Sequence, residues 1–295
     1  METKIQTTNV VLNNNLCNIG NGGEQSVPKR VIVEITDRCN FRCKHCFANK
    51  NDYELTVTSW KKIFENICKD KIQSITITGG EPLLYRDLFN LLSQTKLKKT
   101  LLTLDTNASL INAQNVGLIE KYFKKVRVSY FGINRSWHAN TQSKACDEER
   151  FFSSLKLLCD TKIRVQVKIP LFENNSKNLF KMLDKLKEFN VDEIVLIPII
   201  PCGKAVALTN LITAQEAKRL LKQYNDTSRN IRVFRWAKGK HLLIRSNGNV
   251  VLHPPIKKEE MIFGNAMDRP ISELWQKVPE KYKIINQKLT SDLTK

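Results

Sequence analysis

No stretch of this chain approaches the run of about 18 apolar residues that a membrane-spanning helix needs. The opening METKIQTTNVVLNNNLCNIG has neither the basic start nor the long apolar core of a secretion signal, so a cytoplasmic location is expected. Acidic side chains are scarce: 29 against 48 lysines and arginines, a formal net charge of +19. Nucleic acid is the obvious partner for such an excess. The basic residues are nevertheless spread out, as in KLKK at 96–99 and KYFKK at 121–125, and no segment concentrates them among aromatics. Nucleic acid is therefore disfavoured. A solvated surface, or attraction to an acidic partner such as an anionic peptide, remains. Cysteine is missing altogether after Cys202.

What is present is enough for one large domain and a small appendage: 295 residues, 41% hydrophobic. Residues 1–28 are polar and Asn-rich, with Gly20, Gly22 and Gly23, and read as a flexible N-terminal lead-in. From Val31 onward, six apolar runs read as strands: 31–36, 72–78, 100–105, 126–131, 163–169 and 193–199. Helical spacing lies between them, as in Trp60, Ile63, Phe64, Ile67 and Cys68, in Phe152, Leu155 and Cys159, and in Leu179, Leu183 and Leu186. Strands alternating with helices imply a parallel sheet with right-handed crossovers. Six units are too few for a closed eight-stranded barrel, so the expected fold is α/β, a partial (β/α)6 TIM-like barrel. A helix is expected over about 213–224. HLLIRSNGNVVLH, at 241–253, reads as a hairpin turning at Asn247-Gly248, and a short helix is expected after Pro270.

Eight cysteines are spaced unevenly, and Cys39, Cys43 and Cys46 fall within eight residues. That spacing suggests a metal site rather than a disulfide framework. The cluster starts just after the first strand, where parallel α/β folds build reactive sites. Three thiolates can ligate three irons of a four-iron cluster, leaving one iron open to another ligand. The alternative is zinc, with His45 as fourth ligand. A single C-x-x-x-C-x-x-C run without a partner pair fits zinc poorly.

The same segment, Cys39-Asn-Phe-Arg-Cys43-Lys-His-Cys46, resembles the signature of the radical S-adenosylmethionine (SAM) superfamily. The second strand ends in Gly79-Gly80-Glu81-Pro82, like that family's SAM-binding turn, and the third ends in Thr106-Asn107, like a further family element. Ile197-Pro198 to Gly203-Lys204-Ala205 is similar to the sixth-strand region of the peptide-modifying and molybdopterin-type branches. The resemblance covers about residues 29–205, expected as the radical SAM core. It implies two cofactors, one [4Fe-4S] cluster on Cys39, Cys43 and Cys46, and SAM chelated by the open iron. It further implies that Gly79 and Gly80 admit the methionine moiety closely, that Glu81 accepts from its ammonium, that Ser129 and Lys168 reach its ribose or carboxylate, and that His45 lies beside adenine. The reduced cluster would cleave SAM to a 5′-deoxyadenosyl radical that takes hydrogen from a substrate.

Residues 206–295 resemble a SPASM or twitch extension, the C-terminal part of peptide-modifying maturases. Val251-Leu252-His253-Pro254 stands where a cysteine would be expected, so the extension is read as degenerate, without an auxiliary cluster. His253 is read as an ordinary loop residue. Cys68 and Cys159 are read as core, Cys17 and Cys146 as loop cysteines. Cys202 follows the sixth strand on the same rim as the cluster. It is either a small buried residue or a hydrogen donor to a substrate radical. The expected substrate is a ribosomally synthesised peptide. The alternative is a small molecule such as an aminocyclitol, sugar or cofactor precursor. An electron donor such as flavodoxin or ferredoxin is the other expected partner, and no membrane is.

Overall fold

Apolar and polar residues alternate along the strands, and the alternation gives the sheet two chemically different faces. The computed structural model describes residues 28, 30–48, 53–95, 97, 100–133, 135–143, 147–209, 211–224, 230–234, 241–253 and 261–278, without the side chains of Arg135 and His253. The lead-in before Pro28, Cys17, Cys146 and Pro254 lie outside them. In chain order the elements are β1 Arg30–Glu34, α1 Val57–Lys69, β2 Ser74–Thr78, α2 Leu88–Gln94, β3 Leu101–Thr106, α3 Val116–Tyr122, β4 Lys125–Ser129, α4 Arg135–Thr141, α5 Glu148–Cys159, β5 Arg164–Leu171, α6 Glu173–Ser176, α7 Leu179–Leu186 and β6 Glu193–Pro198. There follow α8 Ala214–Gln223, β7 Ile231–Val233, β8 His241–Ile244, β9 Asn249–His253, β10 Gly264–Asn265 and α9 Ile271–Gln276.

All six expected strands are present, and β1 to β6 pair in parallel in chain order. Val31, Val33, Ile75, Ile77, Leu104, Val126, Val128, Val165, Val167, Ile194 and Leu196 face the helices and form one continuous core with them. From α1 that core takes Trp60, Ile63, Phe64 and Ile67, and from α7 Leu179, Met182, Leu183 and Leu186. The buried stripe of α5 is displaced from the expected one. It runs through Phe151, Leu155 and Leu158, while Phe152 and Cys159 are half-buried at its margin. The adjacent Phe151-Phe152 pair makes both readings of the period equally apolar in sequence.

The sheet does not stop at six strands. Its order is β10-β9-β8-β1-β2-β3-β4-β5-β6-β7. The expected hairpin is β8–β9, with Gly248 at φ +82 in its turn. Its first strand pairs with β1 in parallel, Val31 opposite Leu242, so the extension continues the sheet across an edge that would otherwise offer free backbone groups. Leu242 and Ile244 enter the main core, and Leu243 packs with Ile32 and Val251 on the other face. At the end of β8, Arg245 Nη1 donates to both Glu34 oxygens at 2.7 Å, and Ser246 Oγ donates to Asp37 Oδ1 at 2.6 Å. The three-residue β7, unexpected from sequence, extends the opposite side beside β6. No helix among the described residues is long and apolar enough to cross a membrane.

Candidate functional site

The chain leaving β1 carries all three cysteines, and neighbouring loops hold it in place. Phe41 is fully buried against Phe131 and Trp137, with ring centroids 6.0 and 6.5 Å apart. The Arg42 and Lys44 amides donate to the Thr141 and Asn140 carbonyls at the end of α4, at 2.9 and 3.2 Å. Cys43 is 9% exposed, and Cys39 and Cys46 are half-buried. The Phe41 amide points at Cys39 Sγ, 3.3 Å away, the kind of bond that tunes a cluster thiolate. Among the described residues no three His, Cys, Asp or Glu side chains converge as the ligands of a single metal ion would. His45 packs instead against Phe131 and Phe172. Three soft thiols on one anchored loop fit an iron–sulfur cluster, whose ligands sit at separate corners.

The GGEP turn after β2 lies directly on this chain. The Gly80 amide donates to the Thr36 carbonyl and the Glu81 amide to that of Arg38, both at 2.8 Å. The same close contact constrains both glycines. A Cβ on Gly79 would sit 2.5 Å from the Thr36 carbonyl oxygen, and one on Gly80 would overlap the Arg38 and Asp37 carbonyls. The space left by the missing side chains is filled by the cysteine-bearing chain itself. Pro82 is buried at the start of a short 3-10 turn, Pro82–Leu84.

Glu81, expected to face a ligand's ammonium, is 0% exposed. Its Oε1 accepts from Thr106 Oγ1 at 2.7 Å and from the Leu83 amide at 3.2 Å, and Oε2 accepts from the Asn107 amide at 2.8 Å. The carboxylate thus joins the end of β2 to the end of β3. Burial pushes it up to about 7, against the pull of those three donors. The sign of the consequence follows. The folded chain retains a proton that the unfolded chain releases near the ordinary 4.5. Stability from that proton is complete below about 4.5 and is lost as the pH rises through about 7, a change of about 3 kcal/mol. Urea unfolding of cluster-free protein at pH 5 and pH 8 checks this. The wild type should lose about 3 kcal/mol more than Glu81→Gln over that interval, and parallel pH profiles would show that Glu81 does not titrate there.

Ser129 and Lys168 are cross-strand neighbours on β4 and β5, half-buried on the face turned away from the helices. Lys168 Nζ donates to Asp105 Oδ2 at 2.9 Å, and Arg127 pairs with the other Asp105 oxygen while donating to Thr76 Oγ1 at 3.0 Å. Burial alone would raise Asp105, but Arg127 and Lys168 outweigh it and hold its carboxyl below the usual range. One layer deeper, Glu193 binds Lys125, Arg232 and Gln166. Sequence reasoning missed Asp105, Arg127 and Glu193. The signal was the polar residue at every second position of otherwise apolar strands.

Cys202 closes the arrangement from the far side. The Lys204 amide donates to the Cys46 carbonyl at 3.0 Å, and Gly203, at φ +55, lies so close to Phe47 that a Cβ would come within 2.5 Å of its Cα. Burial, helped by nearby Cys46, pushes the Cys202 thiol up to about 11, so it is a protonated thiol at neutral pH. Asn107, 8% exposed, bonds through its side chain to Asn40 in the cysteine loop. The loop after β1 therefore touches the chain leaving β2, the chain leaving β3 and the chain leaving β6.

The family profile described as Radical SAM superfamily matches residues 33–186. Pre-heme d1 synthase of Dinoroseobacter shibae is 27% identical over 186 residues, 61% of this chain and 46% of that protein. The antilisterial bacteriocin subtilosin biosynthesis protein AlbA of Bacillus subtilis is 25% identical over 170 residues, 56% and 38% of the two. The chain thus spans less than half the length of these two curated relatives. Among solved structures, Streptococcus suis SuiB bound to precursor peptide SuiA superposes with a TM-score of 0.73 at 17% identity, covering 88% of this chain and 67% of that one.

Proposed function

Because this chain belongs to the radical SAM superfamily, we propose that it is an enzyme that cleaves SAM reductively and modifies a ribosomally synthesised peptide. The observation that carries the chemistry is the convergence on one rim of the three-cysteine loop, the GGEP turn and Asn107. Cys39, Cys43 and Cys46 would hold a [4Fe-4S] cluster, which together with SAM would supply a one-electron reduction and an organic radical. The chain's own work is placement. Phe41 and the bonds from Arg42 and Lys44 fix the loop. The backbone of the GGEP turn presents itself to the methionine end, Ser129 and Lys168 to the ribose or carboxylate, and His45, between Phe131 and Phe172, to adenine. Cys202, a thiol at neutral pH, is the candidate hydrogen donor to a substrate radical.

The peptide assignment draws support from AlbA, named for bacteriocin biosynthesis, and from SuiB, seen with its precursor peptide. A net charge of +19 suits an acidic peptide and an acidic electron donor such as flavodoxin or ferredoxin. The second reading, a small-molecule substrate, draws support from pre-heme d1 synthase.

The test is anaerobic incubation of reconstituted protein with SAM, dithionite and a panel of short acidic peptides. The expected result is 5′-deoxyadenosine together with a mass change in a peptide. 5′-Deoxyadenosine without any peptide change sinks the peptide reading, and neither product sinks the enzyme. With Cys202→Ala, 5′-deoxyadenosine should persist while product falls at least tenfold. Full product would remove Cys202 from the reaction.

A further inference from the structure

The cysteine loop and the end of β3 are joined by a closed ring of three side chains. Asn40 Nδ2 donates to Ser109 Oγ at 2.8 Å, Ser109 Oγ donates to Asn107 Oδ1 at 2.6 Å, and Asn107 Nδ2 donates back to Asn40 Oδ1 at 2.9 Å. Each member of the ring both gives and receives. Ser109 and Asn107 are 5% and 8% exposed, and the Ser109 amide adds a second bond to Asn107 Oδ1 at 2.9 Å. Outward from the ring, Ser143 Oγ donates to the Asn40 carbonyl at 2.7 Å, and the Asn107 amide donates to buried Glu81. A continuous path therefore runs from the segment after α4, through the residue next to Cys39, to the GGEP turn.

We infer that Asn40 is a positioning residue that sets the cysteine loop in register with the GGEP turn, and so sets the distance between the cluster's open iron and SAM. This rests on the cluster and SAM reading above. A loop of three cysteines separated by three and two residues can hold a cluster without Asn40, since the thiols come from other positions. What the loop alone does not fix is its height relative to β3. Backbone bonds tie the chain to the GGEP turn at Thr36 and Arg38, ahead of the cysteines, and to Lys204 at Cys46, while the Arg42 and Lys44 amides run to the opposite side, toward α4. Asn40 bonds to the β3 end through both its amide nitrogen and its amide oxygen. In an enclosed ring, loss of one member leaves the other two with unmet donors and acceptors and frees them to reorient. A misplacement of even about 1 Å lowers reaction rates by orders of magnitude.

The experiment compares wild type with Asn40→Ala, Asn40→Asp and Ser109→Ala, each reconstituted anaerobically, using SAM itself as probe. Three quantities are read: irons per chain, the dissociation constant of SAM, and the change SAM makes to the electron paramagnetic resonance of the reduced cluster. Asn40→Ala should keep its irons, bind SAM at least tenfold more weakly, and lose most of the SAM-induced spectral change. Asn40→Asp, which still accepts from Asn107 but cannot donate to Ser109, should fall between it and the wild type. Ser109→Ala should shift in the same direction. A wild-type spectral response and SAM affinity within twofold in Asn40→Ala would overturn the inference. Loss of iron from Asn40→Ala while Ser109→Ala responds as wild type would also overturn it, because Asn40 would then hold the loop without the ring. Failure of the wild type itself to take up iron would sink the cluster reading and is seen before any variant is compared.

Discussion

Replacing Cys39, Cys43 and Cys46 together by alanine is expected to take bound iron from about four per chain to none. The visible absorbance of the cluster and all reductive SAM cleavage should go with it. The effect is all-or-none because no other three cysteines of the described chain lie on one loop: Cys68, Cys159 and Cys202 sit on α1, on α5 and after β6. The fold should survive. Phe41 remains buried against Phe131 and Trp137, and the loop keeps its backbone bonds to Thr141 and Asn140. Far-UV circular dichroism should therefore match the wild type while iron analysis reads zero. Cluster absorbance surviving in the triple variant would mean that other residues hold the metal.

Arg245→Met is expected to cost about 3–5 kcal/mol, because it strands a buried carboxylate. Arg245 and Glu34 side chains are 6% and 2% exposed, and one guanidinium nitrogen serves both Glu34 oxygens. Even with that partner, burial keeps the Glu34 carboxyl above its ordinary range. Without it, the carboxyl should rise further and accept a proton readily. The deficit of Arg245→Met should therefore be largest at pH 8 and shrink toward pH 5. Urea unfolding of the cluster-free protein at both values measures it. The double variant Glu34→Gln, Arg245→Met should recover most of the loss, since neither charge is then buried. A single variant within 1 kcal/mol of wild type at pH 8 would show that water reaches Glu34.

The parts of this molecule that were legible from sequence are those whose signal is local. Six strands were visible because Val31, Ile75, Leu104, Val126, Val165 and Ile194 lie in short apolar runs between helical periods. The cysteine spacing and GGEP were visible because a few adjacent residues define them, and Asn247-Gly248 marked its own turn. What was hidden is what depends on partners distant in sequence. Nothing in HLLIRSNGNVVLH says that its first strand lies against Val31. Nothing in GGEP says that Glu81 receives its bonds from Thr106 and Asn107, or that the glycines lie against the Thr36 and Arg38 carbonyls. β7 has only three residues, too short for alternation to register. Asn40 carries no signal of its own in the sequence because its partners lie 67 and 69 residues away.

The pairing of β8 with β1 also has a consequence in time. Glu34 and Arg245 are 211 residues apart. A ribosome adding about 5–20 residues per second makes the first strand roughly 10–40 seconds before its outer neighbour emerges. Through that interval β1 has one free edge, Ile32 lacks the side chains of Leu243 and Val251, and the thiols lie on a segment not yet held by Ser246. Closure of so long a loop is slow compared with pairing of successive strands. The nascent chain thus passes through a stage in which its cysteines are most open to oxidation and its bare strand edge to aggregation, and that stage ends only when the hairpin docks.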